Sequence, residues 1–146
     1  MAKAASPKSQ KVSIEVMIFL IDQNLEGYAE ILLGAIASKG WLDLLPIQFI
    51  TFAEIELPPN STDRVVWRYA QLHNMILLTA NRRMKGQDSL EQVMREENNS
   101  TSLPVITIAN LTRFDERDYR EECIERLIEV CMYIDNYLGS RRVFIP

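Results

Sequence analysis

Residues 14–22, IEVMIFLID, decide the fold of this chain. Residues 16–21 are wholly apolar, and the run stops at the charged side chain of Asp22. A short apolar run of this kind is typical of a buried central strand in a parallel sheet. We therefore predict a first strand over 14–21 whose carboxyl end presents Asp22.

The rest of the chain alternates between helical and strand patterns. Helices are predicted over 27–39, from the cap at 61–63 to about 73, from the cap at 88–89 to about 97, and over 115–138, and strands over 47–52, 75–79, 105–109 and 143–145. Strands that alternate with helices imply right-handed crossovers between parallel strands. The predicted fold is an α/β three-layer sandwich with a mostly parallel sheet of four to five strands.

Length and the first residues indicate how the chain is divided. A chain of 146 residues corresponds to one ordinary domain. Residues 1–12 carry three lysines and no acidic residue, and they lack the apolar core of a signal peptide. We interpret 1–12 as a disordered N-terminal tail, 13–146 as a single domain, and the cytoplasm as its location.

Composition argues against several classes of protein. The longest wholly apolar run, 16–21, is far shorter than the roughly 20 residues of a membrane-spanning helix. A net charge of −4 argues against a protein that coats nucleic acid nonspecifically. The one histidine, His73, falls on the apolar face of its predicted helix, which predicts a core residue rather than a general base. A single histidine also leaves no zinc site of ordinary ligand spacing. Cys123 and Cys131 are predicted to be core residues as well.

The predicted topology directs the search for a functional site. In open parallel sheets, ligands bind beyond the carboxyl ends of the strands. The polar residues that follow the predicted strands are Asp22, Gln23, Asn24, Thr79, Asn81, Arg82, Arg83, Asn110 and Arg113.

Four motifs occur in an order that resembles a known family. FLIDQN (19–24), STDRVVWRYAQ (61–71), ILLTANRRM (76–84) and SLPVITIANL (102–111) resemble, in that order, the motifs of PIN-like domains, above all the small stand-alone prokaryotic ones. The resemblance implies a metal-dependent ribonuclease, often of toxin type, with a protein partner such as an antitoxin. It also implies acidic side chains at the strand ends that hold Mg²⁺ or Mn²⁺, which are hard cations that prefer oxygen ligands.

The resemblance also assigns the candidate catalytic and metal-ligating residues. Asp22 matches the acid of the first strand, Asp63 an acid near the start of a later helix, and Asn81 the position after the Leu-Leu-Thr strand. Gln23, Asn81 and Arg83 stand where related proteins often carry acids, and an amide oxygen brings a metal no charge.

Two acids of the following helix are further candidates. Asp88, at the predicted start of that helix, is the candidate that would restore a charge to the metal site. Glu91, one turn further on, is a weaker one.

Basic and amide side chains near these acids are the candidate substrate-binding residues. Guanidinium and ammonium groups suit the phosphates of RNA. The candidates are Asn24, Arg64, Arg82, Arg83 and Lys85. Each also has an ordinary structural interpretation, since Asn forms turns, charge runs form solvated loops, and an arginine on a helix pairs with nearby acids.

The sequence leaves three functions open. The first is a Mg²⁺- or Mn²⁺-dependent ribonuclease. The second, favoured by the lost acids, is a catalytically degenerate PIN-like module that binds RNA or protein. The third is an enzyme acting on a phosphorylated small molecule at the same strand ends. The last helix and the apolar tail 143–146 are candidates for a homodimer interface.

Overall fold

One five-stranded parallel sheet forms the centre of the protein. The computed structural model describes residues 16–81 and 88–146. The strands are β1 (Met17–Ile21), β2 (Ile47–Thr51), β3 (Ile76–Thr79), β4 (Val105–Ile108) and β5 (Arg142–Ile145). Their order across the sheet is β2-β1-β3-β4-β5, and every neighbouring pair is parallel. The predicted α/β class and its parallel sheet are confirmed.

Helices connect the strands and cover both faces of the sheet. They are α1 (Glu26–Ser38), α2 (Trp41–Leu44), α3 (Asp63–Leu72), α4 (Leu90–Glu97) and α5 (Arg117–Met132). The predicted cap clusters start two of them. Thr62 accepts a hydrogen bond from the backbone N–H of Val65 at the start of α3, and Ser89 accepts one from that of Gln92 at the start of α4.

The core consists of two apolar layers, one on each face of the sheet. Successive strand residues point to opposite faces, so each strand contributes to both layers. Ile21, Leu78 and Ile106 pack with α1 and α5. Leu20 and Leu77 pack with α3 and α4 on the other face. This arrangement is the predicted three-layer sandwich.

The last helix is shorter than the sequence pattern predicts. α5 ends at Met132, and a 3-10 turn over Ile134–Tyr137 replaces the predicted continuation to 138. The chain must reverse there to begin β5. Gly139 makes the reversal with a φ of 80° and donates its backbone N–H to the carbonyl of Ser102 at 2.8 Å. Tertiary contacts thus override the helical pattern.

Side-chain burial confirms one prediction and overturns another. Cys123 and Cys131 are buried, and burial raises their thiol pKa values to about 11 and about 12. His73 is exposed rather than in the core, because it caps the end of α3 and its ring lies against that of Tyr69, with 4.1 Å between the centroids.

Two further findings concern the extent of the described residues and the character of their helices. The predicted tail 1–12 and the candidate residues Arg82, Arg83 and Lys85 lie outside the described residues. Within 16–81 and 88–146, none of the helices has the length and apolar character needed to cross a membrane.

Candidate functional site

Asp22 lies at the point where the strand order of the sheet reverses direction. β1 is flanked by β2 on one side and β3 on the other, so the connections that follow β1 and β2 lead to opposite sides of β1. Loops diverge at such a switch point, and ligands of open parallel sheets bind in the crevice beyond the strand ends there. Asp22 follows β1 directly, and Thr79 ends β3 beside it.

The Asp22 carboxylate is held by two hydrogen-bond donors. The Thr79 hydroxyl donates to Asp22 Oδ2 at 2.6 Å, and the backbone N–H of Gln23 donates to Oδ1 at 2.8 Å. Thr79 is fully buried, so its hydroxyl has a fixed place. The nearby amide of Asn24 accepts from the backbone N–H of Ala80 at 3.2 Å and ties the segment after β1 to the segment after β3.

Asn81 and Asp63 continue the same chain of hydrogen bonds. The backbone N–H of Asn81 donates to the Thr79 hydroxyl at 2.9 Å, and its Nδ2 donates to Asp63 Oδ2 at 3.1 Å. The backbone N–H of Leu90, the first residue of α4, donates to the same Asp63 oxygen at 3.0 Å. Three of the four predicted catalytic residues, Asp22, Asp63 and Asn81, therefore belong to one network at the strand ends.

Burial and neighbouring charges make Asp22 an unusual carboxylate. Burial raises its pKa most, the hydrogen bonds from Thr79 and Gln23 lower it, and the negative charges of Asp63 and Glu26 raise it again. The net result is a pKa above the ordinary value. Among the described residues no ion pair forms with Asp22, and the charged neighbours that shift its pKa are both acids.

Asp88 and Arg64, two other predicted site residues, pair with each other instead. Arg64 Nε donates to Asp88 Oδ1 at 2.6 Å, and the same guanidinium binds the carboxylates of Glu96 and Glu97. The backbone of Asp88 is left-handed, with a φ of 61°. This ion-pair cluster joins α3 to α4, and among the described residues no hydrogen bond or ion pair links Arg64 or Asp88 to Asp22.

A buried arginine adjoins the network from the other side. Arg142, at the start of β5, donates from Nε to Glu91 Oε1 at 2.7 Å and from Nη1 to the backbone carbonyl of Asn81 at 2.7 Å. Nη1 also donates to the Thr107 hydroxyl at 2.6 Å. Neither Arg142 nor Thr107 is among the site residues predicted from the sequence. The double arginine before the last apolar run was the one available signal, and it does not indicate burial.

Two helices begin at this edge of the sheet. α3 starts with Asp63 and α4 with Leu90, and both residues take part in the network. A helix N-terminus carries partial positive charge and unpaired N–H groups, so it favours negative charge nearby. The edge can accordingly hold carboxylates, and it also suits the phosphate of a ligand.

The donor atoms at this edge suit a hard cation only in part. Asp22 and Asp63 supply carboxylate oxygens and Asn81 an amide oxygen, all of the type that Mg²⁺ and Mn²⁺ prefer. Within the part of the chain that the structure describes, however, no three His, Cys, Asp or Glu side chains form a group that could hold a metal ion. At this edge, the described candidate ligands thus include two carboxylates, those of Asp22 and Asp63.

Comparison with known proteins adds no further identification. Neither the family models, nor the curated proteins, nor the solved structures include a match to this chain. The resemblance to PIN-like domains therefore stays a prediction from the sequence motifs.

Proposed function

We propose that this strand-end site belongs to a divalent-cation-dependent ribonuclease, with Asp22 as the principal metal ligand. The observation that carries the proposal is the state of the Asp22 carboxylate. It is partly buried and accepts hydrogen bonds from Thr79 and Gln23, its pKa is raised, its charged neighbours Asp63 and Glu26 are acids, and it has no cationic partner among the described residues. A divalent cation would offset this accumulated negative charge.

The residues of the network have definite roles under this proposal. Thr79 orients Asp22, and Asn81 orients Asp63, so that both carboxylates are held in place before a ligand arrives. Bound Mg²⁺ or Mn²⁺ would supply an acidified water and neutralise charge on a phosphodiester. The N-termini of α3 and α4 favour the phosphate itself.

A second candidate is an RNA- or protein-binding module without catalysis. The observation that favours it is the amide at Asn81. Its Nδ2 donates to Asp63, so the side chain satisfies an existing carboxylate rather than adding a charge for a metal. A site of this kind binds its ligand equally well in the presence of a chelator.

Thermal unfolding with manganese tests the metal site. We expect Mn²⁺ to raise the melting temperature of the wild-type protein and Asp22→Asn to remove that rise. Asp43→Asn is the matched control, because Asp43 is an exposed acid in α2. That helix precedes β2 and so lies at the amino ends of the parallel strands, opposite to Asp22. A rise of equal size in the Asp22→Asn protein would refute Asp22 as a ligand.

Cleavage of end-labelled single-stranded RNA tests the activity. We expect cleavage with Mn²⁺ or Mg²⁺ by the wild-type and Asp43→Asn proteins, and none with EDTA or by Asp22→Asn. RNA that is bound in EDTA and left intact with either metal would instead support the binding module. On either proposal, binding to RNA, to an antitoxin-type protein or to a second copy of the chain stays a prediction. The cytoplasmic location stays a prediction as well.

A further inference from the structure

The guanidinium of Arg142 has N–H groups that its contacts within the protein do not use. Its side chain is only 5% exposed, and it runs from the start of β5 to the ends of β3 and β4. A guanidinium has five N–H groups and no acceptor. Glu91 takes the Nε hydrogen, and Asn81 and Thr107 take the two on Nη1.

The remaining nitrogen, Nη2, is a buried donor with no partner among the described residues. Its two N–H groups make no hydrogen bond within the described residues, and the atom is closed to solvent. A buried donor that stays unpaired lowers the stability of the fold, and one on a charged group does so more strongly. An orphan of this kind requires an explanation, and a bound water or ion is one that satisfies the donor.

The chemistry of the guanidinium group limits which ligands can accept hydrogen bonds from Nη2. Each N–H group of a charged guanidinium is a strong donor to an oxyanion oxygen, and phosphate and carboxylate both supply such oxygens. Asn81, whose carbonyl holds Nη1, also holds Asp63 through its amide, so Arg142 directly adjoins the proposed metal site. The starts of α3 and α4 at the same edge favour phosphate.

We propose that Arg142 is a substrate-binding residue whose Nη2 donates to a phosphate oxygen of the ligand. The inference rests on the proposed function, since it assigns the phosphate contact of that same site. Arg142 is paired with Glu91, while Asp22 and Asp63 add negative charge. Phosphate therefore binds more tightly once a divalent cation is present, and by linkage the phosphate tightens the cation equally.

Dimethyl phosphate is a suitable probe because it is a phosphodiester but contains no RNA linkage that the proposed ribonuclease could cleave. Its binding is followed by the ³¹P line width in Mg²⁺ and in EDTA. The double variant Glu91→Leu/Arg142→Met removes the ion pair as a unit, which leaves no buried charge unpaired. We expect its apparent Kd to rise roughly tenfold to hundredfold, the usual effect of losing a charged hydrogen bond.

Glu91→Gln is the second variant, and its expected effect has the opposite sign. It keeps the hydrogen-bonding shape at Arg142 but removes the competing negative charge, so the probe should bind more tightly than to the wild type. A merely structural role of the pair predicts weaker binding or no change in both variants. Since Glu91→Gln perturbs packing little, it tests the proposal even if the double variant fails to fold.

Three results would overturn the inference. They are the absence of probe binding to the wild type in Mg²⁺, equal binding by the folded double variant, and unchanged or weaker binding by Glu91→Gln. Competition by acetate at the same affinity would replace phosphate with carboxylate as the ligand. The manganese-induced rise in melting temperature should survive in the double variant and disappear in Asp22→Asn, so failure of the phosphate contact is distinguishable from failure of the metal site.

Discussion

Replacing Thr79 by valine is a sharp test of the network around Asp22. The two side chains have nearly the same shape, and Thr79 is fully buried, so the substitution removes the hydroxyl with little change in packing. The hydroxyl makes two hydrogen bonds, to Asp22 Oδ2 at 2.6 Å and from the backbone N–H of Asn81 at 2.9 Å. Both partners lose their bond at once.

The expected loss of stability follows from these two bonds. A hydrogen bond to a charged group contributes about 1.5–3 kcal/mol and a neutral one about 1 kcal/mol. Burying a methyl group in place of the hydroxyl returns about 1 kcal/mol. We therefore expect Thr79→Val to lower the free energy of unfolding at neutral pH by about 2 kcal/mol.

The pH dependence separates the charged bond from packing. Thr79 lowers the pKa of Asp22, so valine raises that already raised pKa further. A raised carboxyl pKa favours the folded state at low pH, and this contribution is lost as the pH rises through the folded value. The difference between Thr79→Val and the wild type should therefore be largest at neutral pH and shrink as Asp22 becomes protonated.

Urea unfolding in EDTA at several pH values is the assay, and Thr79→Ser is its control. Serine keeps the hydroxyl and loses one methyl group, which costs about 1 kcal/mol at every pH. If Thr79→Val is as stable as Thr79→Ser at neutral pH, or if the difference between them does not change with pH, the hydroxyl does not hold the Asp22 carboxylate.

Three other predictions concern charge, backbone and thiols. Without metal, Asp22→Asn should raise the free energy of unfolding at neutral pH, because it removes a partly buried charge whose pKa is raised. This gain should disappear near and below the ordinary carboxyl pKa of 3.8, and urea unfolding over a pH series measures it. Gly139→Ala should destabilise the fold by more than the roughly 1–2 kcal/mol that a left-handed alanine costs, because its Cβ would lie 3.1 Å from a backbone atom. Gly40→Ala is the control: it has open space around the new Cβ at a φ of 78°, so it should cost only that amount in the same assay. Cys123 and Cys131, with pKa values of about 11 and about 12, should resist a thiol reagent in native protein at pH 8 and react in urea; rapid native labelling would contradict their burial.

The sequence predicted those parts of the fold that depend on local pattern. The apolar runs of β1 and β3 and the capping residues Thr62 and Ser89 act over a few neighbouring residues, and they lie where predicted. The prediction that His73 is a core residue was wrong because it extended the helical period one residue past Leu72. That position is no longer helical, and it faces solvent.

The site was predictable only as far as topology reaches. The rule for parallel strand ends selects Asp22 and Asn81, and the structure joins them through Thr79. Arg142 lies 51 residues from Glu91 and 61 from Asn81, and its sequence neighbours give no hint of burial. Pairings across such distances exist only once the sheet has formed, so no local pattern predicts them.

The buried ion pair of Arg142 also bears on how the last strand finds its alignment. β5 is an edge strand of four residues, and so short a strand can slide along its neighbour. A slip of one residue would turn Arg142 toward the apolar layer of α1 and α5, far from Glu91, and would expose Val143 and Ile145 on the wrong face. One charge in an otherwise apolar segment thus makes a single register acceptable and excludes its neighbours.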